Sequence, residues 1–119
     1  MDGSDNLEQI GAFLEANGST DDTTTVDNYP AFYYAKDYAS QKRSHVSGTN
    51  YESGWYLPTI QELFQLRENS ETVNAALEAC GGTKFELSED YWSSSQVAYK
   101  EIFAHFLRFS NGSDGADNK

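Results

Sequence analysis

The sequence predicts an α+β domain in which helices come first and strands last. Three observations predict it. Apolar residues recur at helical spacing as far as Gly82, the spacing changes to a period of two between Ile102 and Phe109, and the chain is rich in aromatics. A βαβ layout would interleave the two periods rather than segregate them. The 119 residues fit one domain, and 8 Tyr, 7 Phe and 2 Trp can fill the core of a small, loop-rich fold.

The elements follow in order. Leu7, Ile10 and Leu14 stand at i, i+3 and i+7 with Phe13 beside them, which predicts a short amphipathic helix. Asp5 or Asn6 can cap its start, and Gly18 suits the left-handed position after its end. Residues 19–25 are polar and aperiodic, so residues 1–28 read as an N-terminal helix and flexible linker ahead of a domain over 29–119. A second helix is expected over 30–42, started by Pro30, with Ala31, Tyr34, Ala35 and Tyr38 on one face. Residues 44–54 are rich in Gly, Ser and Asn and read as loop.

The third helix carries the clearest local signal. Thr59 and Glu62 form a capping box, and Leu57 can staple onto Leu63. Ile60, Leu63, Phe64 and Leu66 make its buried side. A fourth helix starts near Ser70, places Val73, Ala76, Leu77 and Cys80 on one stripe, and stops at Gly81-Gly82. The stripe predicts a buried Cys80. Beyond it, Tyr91-Trp92-Ser93-Ser94-Ser95 and residues 102–109 read as strands, with Trp92 as a core anchor whose flanking serines bond nearby backbone. Asn111-Gly112 is a hairpin turn signal. Residues 113–119 are polar and predict no further strand.

The formal net charge is −11, from 19 acids against 8 bases. Such a surface repels phosphate backbones and anionic lipid, which argues against nucleic-acid and electrostatic membrane binding. No apolar run is long enough to insert into a membrane. The first residues are acidic where a signal peptide is basic and then apolar. The single cysteine excludes an intramolecular disulfide and a Cys-rich metal site.

Three ordered segments carry a resemblance. They are Gly54-Trp55-Tyr56-Leu57-Pro58-Thr59-Ile60-Gln61-Glu62-Leu63, then Tyr91-Trp92-Ser93-Ser94-Ser95, then Phe109-Ser110-Asn111-Gly112. Together they resemble the bacterial domain family typified by the C-terminal domain of a collagen-like adhesin. That family is akin to the formylglycine-generating-enzyme, sulfatase-modifying type of C-type-lectin-like fold. The segments are also similar to those of variable proteins diversified by retroelements. The resemblance implies helices packed on a small antiparallel sheet, a cell-surface setting, and a protein or glycan ligand. Members of the family close with a further strand of Val-Arg-x-Val-like pattern that is not found here. The resemblance therefore implies a shortened domain, different pairing from residues 1–28, or an open sheet edge.

Trp55, placed where a loop becomes a strand, and Trp92 read as structural rings, with a sugar-stacking platform as the other reading. His45 and His105 have no second nitrogen or sulfur ligand at a metal-binding spacing, so no catalytic residue, metal or cofactor is expected. Asn111, Asp114, Asp117 and Asn118 offer oxygen donors, but not at EF-hand spacing, and a polar turn is the preferred reading. The related enzymes use a pair of cysteines, and one core-facing Cys80 does not meet that need. The expected ligand face lies in the C-terminal loop, strand and turn, the stretch that displays changing side chains in the retroelement-diversified proteins. Its members are Gln96, Tyr99 and Lys100 in the loop, Phe106 and Arg108 on the strand, and Asn111, Ser113 and Asp114 in the turn. Tyr, Arg and Asn are common in adaptable recognition surfaces. The reading is thus a non-enzymatic binding or adhesion module; a structural or oligomerisation module and a sulfatase-modification enzyme are the alternatives.

Overall fold

Helix signals and strand signals segregate along the chain as expected, giving an α+β fold. The computed structural model describes residues 3–16, 30–42 and 44–118. Among these, α1 spans Gly3–Ala16, α2 Pro30–Lys36, α3 Ile60–Glu68 and α4 Ser70–Ala79. The strands β1 (Asp90–Val97), β2 (Lys100–Arg108) and β3 (Asp114–Asn118) form one antiparallel sheet in the order β1-β2-β3.

Two helix starts behave differently. The capping box at α3 forms as the spacing requires: Glu62 N donates to Thr59 Oγ1 at 3.2 Å, and Thr59 N donates to Glu62 Oε2 at 2.8 Å. At α1 the expected cap by Asp5 or Asn6 is displaced, because the helix already begins at Gly3. Asn6 instead reaches the sheet, where its Nδ2 donates to Ser94 Oγ at 2.6 Å and to Ser94 O at 3.2 Å. Gly18, the linker over 19–25 and the boundary at 28/29 lie outside the described residues.

The second helix is shorter than its periodicity suggests. It stops at Lys36, and a 3-10 turn over Tyr38–Ser40 replaces its last turn. Only Phe32 of α2 is buried, so little apolar contact remains to hold a longer helix in register. The segment after Gly54 forms no strand; residues 54–59 run as irregular chain. Pro58 O accepts from Ser94 N at 2.7 Å, a lone bond to the β1 edge rather than a ladder.

The core is small and aromatic. Leu63, Leu107 and Phe109 are its buried centre, with Ile60, Phe64, Leu66, Phe85 and Tyr91 packed around them. Phe109 lies 4.6 Å from the Tyr91 ring and 5.5 Å from Phe85. Asn74 extends this layer: its Oδ1 accepts from Phe85 N at 2.7 Å and its Nδ2 donates to Phe85 O at 3.1 Å. One side chain thereby satisfies both backbone groups of a residue that has no strand neighbour.

Two expected core residues lie outside it. Trp92 is 38% exposed rather than an anchor, packed edge-on against Phe106 on the sheet face away from Leu107. Cys80 is exposed, and α4 has no fully buried residue. The physical reason is at the helix end. Gly82 N donates to Leu77 O and Gly81 N to Glu78 O, with Gly81 at φ 74°, a Schellman stop that makes Cys80 the C-cap. A thiol so placed is expected to titrate in the native protein with Ellman's reagent. Release of the chromophore only after denaturation would contradict the exposure.

The sheet is interrupted where the serines lie. The β1–β2 register slips between Trp92 and Gln96. There Ser93 Oγ donates to His105 O at 2.7 Å and accepts from Ser95 N at 3.2 Å, while Ser95 Oγ accepts from Ile60 N at 2.9 Å. Hydroxyls take over bonds that the bulged ladder cannot make, so Ser93 and Ser94 are buried without being left unsatisfied.

The tail, expected to carry no further strand, supplies β3. Its Asp-Gly-Ala-Asp-Asn sequence has poor intrinsic strand propensity. Pairing is secured from outside: Gly115 sits opposite Phe106, whose ring occupies the space where a Cβ would stand. The β2–β3 turn is wider than a two-residue hairpin. Arg108 N donates to Ser113 O at 2.9 Å, Gly112 adopts φ 74°, and Asn111 Oδ1 accepts from Ser113 N and Oγ. From α3, Arg67 Nε donates to Phe109 O at 2.9 Å and holds the turn against the helix.

Candidate functional site

The residues expected to form one ligand face are divided by the fold. Gln96 pairs with Ala104 and Lys100 with Val97, leaving Tyr99 at the tip of the β1–β2 hairpin. Tyr99 is fully exposed at φ 60°, a left-handed conformation that disfavours any residue with a Cβ. Asn111 and Ser113 lie at the far end of β2, roughly 27 Å away at about 3.4 Å per residue. Both are committed to each other in the turn.

The two sheet faces divide the remainder. Phe106 and Arg108 share a face, with the Arg108 guanidinium carbon 5.1 Å from the Phe106 ring centre and its Nε 3.7 Å from Asp90 Oδ2. Asp114 projects to the opposite face, where its Oδ2 lies 3.4 Å from His105 Nδ1. That Nδ1 makes no hydrogen bond, so the approach is an electrostatic contact and not a directed bond. His105 is half-buried as expected, but it does have a carboxylate neighbour that sequence spacing does not reveal. Among the described residues no three His, Cys, Asp or Glu side chains gather as a metal site. Asp117 and Asn118, grouped by sequence with the turn's oxygen donors, are strand residues.

A different surface has the character of a binding site. Residues of the irregular segment over 51–58, of α3 and of β1 together line an open groove of about 1030 Å³. Trp55, Tyr56, Trp92, Tyr91, Leu63 and Leu66 are among the residues that line it. Its lining also includes the neutral polar residues Ser53, Gln65 and Asn69. Trp55 is 42% exposed and Tyr56 39%, and Tyr51 is more open still. Apolar concavity with a few neutral polar groups is the usual make-up of a ligand site.

The groove rings are held, not loose. Trp55 Nε1 donates to Tyr51 O at 2.7 Å, and its ring lies 4.6 Å from that of Tyr38. Tyr56 Oη donates to Glu62 Oε1 at 3.1 Å. Through Glu62 the α3 capping box positions a groove residue as well as a helix. Sequence reasoning read Trp55 and Trp92 as structural rings because large rings bury large areas, with an exposed stacking platform as the other reading. The signal that could have found the groove is Tyr51, Trp55 and Tyr56 crowded into a stretch of loop composition, where no periodicity offers them a core face. No family model matches this chain, and neither a curated protein nor a solved structure is found to be similar to it.

Proposed function

We propose that this chain is a non-enzymatic binding module whose ligand seats in the aromatic groove between residues 51–58 and α3. The observation that carries the reading is the exposure of Trp55, Tyr56 and Trp92 along one concave surface while the core is built from other rings. A domain this small gains stability by burying indoles, so leaving two at a groove rim favours recognition over packing. The lone cysteine supports the non-enzymatic part, since the cysteine pair of the formylglycine-generating enzymes has no counterpart in this sequence. The C-type-lectin-like form of the α+β fold, the cell-surface setting and an adhesion role rest on the resemblance of the three ordered motifs.

The test is nitrogen-15 NMR mapping with a library of small neutral aromatic and cyclic fragments. Shifts are expected at the indole N–H groups of Trp55 and Trp92 and at amides of residues 53–58 and 65–69. Shifts confined to the hairpin tip around Tyr99, or none anywhere, would reject the groove.

A further inference from the structure

We infer that a second, smaller pocket, lined by α2 and by all three strands, takes an uncharged aromatic molecule of up to two fused rings. This site goes beyond the groove reading, although Ala31, Leu57 and Trp92 contribute to both surfaces. The pocket holds about 280 Å³. It forms where the fold places small side chains side by side: Ala31 on α2, Ser93 on β1 and Ala104 on β2. Its lining runs from the interior to the surface. Ser93 is 1% exposed and Ala104 3%, whereas Trp92 is 38% exposed, so a ligand can enter from solvent and reach buried apolar surface.

The lining decides the class of ligand. Among the described residues that form it none is charged, and an ion entering would lose its hydration without gaining a counter-charge. Water is a poor occupant as well, because a buried water needs two to four polar partners. Ser93 Oγ already donates to His105 O at 2.7 Å and accepts from Ser95 N at 3.2 Å. Asn118 is the other polar residue described in the lining, which suits a ligand with no more than one hydrogen-bonding group.

Size and shape narrow the class further. An apolar cavity of about 150 Å³ accepts a benzene-sized ring, so roughly twice that volume has room for two fused rings. Trp92 favours an aromatic ring over an aliphatic chain, because aromatic pairs gain energy beyond the area they bury. Its indole is already held edge-on by Phe106, with ring centres 5.7 Å apart, so it loses little side-chain freedom when a ligand covers it.

The experiment is titration of the nitrogen-15-labelled full chain with indole and 2-naphthol, and with indole-3-acetate and tryptamine as charged counterparts. The two neutral compounds are expected to shift the amides of Ala31, Ser93 and Ala104 with a Kd of about 1 mM or tighter, the range open to nine or ten heavy atoms. The charged compounds should bind at least tenfold more weakly. Ala104→Leu fills the pocket and should weaken neutral binding tenfold or more while leaving any shift at the Trp55 indole N–H unchanged. Asn118→Phe, a change at an exposed strand residue, provides a second obstruction should Ala104→Leu fail to fold, as judged by its thermal melt. The inference is overturned if those three amides do not move, if the charged compounds bind equally well, or if binding survives in the folded variants. Shifts at residues 53–58 and 65–69 alone would overturn this pocket and leave the groove standing. Shifts at the pocket alone would do the reverse.

Discussion

Phe109→Ala is expected to cost about 3–5 kcal/mol, the usual loss for removing a buried aromatic. Phe109 is 2% exposed and meets Phe85 and Tyr91 on one side and the Leu63–Leu107 centre on the other. Its backbone bonds, to Glu89 O and from Arg67, do not depend on the side chain. The loss therefore isolates the ring's burial and the cavity it leaves. Domains of this kind have only about 5–15 kcal/mol in hand. Urea denaturation with intrinsic fluorescence should show a much lower midpoint, or no folded baseline at all. A loss below about 1 kcal/mol would mean that the aromatic cluster is not the core.

Glu62→Ala should cost about 2–3 kcal/mol, more than loss of a helix cap alone. Glu62 is one residue at three junctions: it completes the α3 capping box, accepts from the first described residue of α1, and fixes Tyr56 at the groove. Its negative charge at a helix start also opposes the helix dipole favourably. Glu62→Gln keeps one acceptor oxygen and should lose about 1 kcal/mol, mainly the charge-assisted part. Because Thr59 and Glu62 act as a unit, the Thr59→Ala/Glu62→Ala pair should cost less than the sum of the single changes. Additive losses in chemical denaturation would show that the box does not function as one device. The Glu62→Ala variant should also bind groove fragments more weakly, since Tyr56 loses its tether.

How much of the fold was legible depended on whether the determining forces were local. The α3 start was readable because a capping box joins residues three apart in sequence, and the same holds for the Gly81-Gly82 stop. The alternation in β2 was readable because one strand face meets the core. The end of α2 was not, since its length depends on how little of it is buried. Cys80 obeyed the periodicity but fell on the turn where the helix ends. β3 was invisible because Asp, Gly and Asn carry no strand signal, and the fit of the Phe106 ring over Gly115 joins residues of different strands.

The candidate site was less legible than the fold. Sequence order suggested that residues 96–114 act together, but a nine-residue strand carries its two ends far apart and turns alternate side chains to opposite faces. The groove joins residues 51–58 to α3 and β1, and such proximity across the chain leaves no trace in local pattern.

By itself, then, the sequence determined the segregation of helices and strands, the α3 cap, the α4 stop, the single cysteine and the acidic surface, all of them properties of neighbours or of composition. Only the tertiary structure decided which rings became core and which lined the groove, whether the polar tail paired as a strand, and which side the thiol faced. Those outcomes depend on competition between distant segments for a small apolar centre. Leu63, Leu107 and Phe109 occupy that centre, and the indoles of Trp55 and Trp92 are left at the surface.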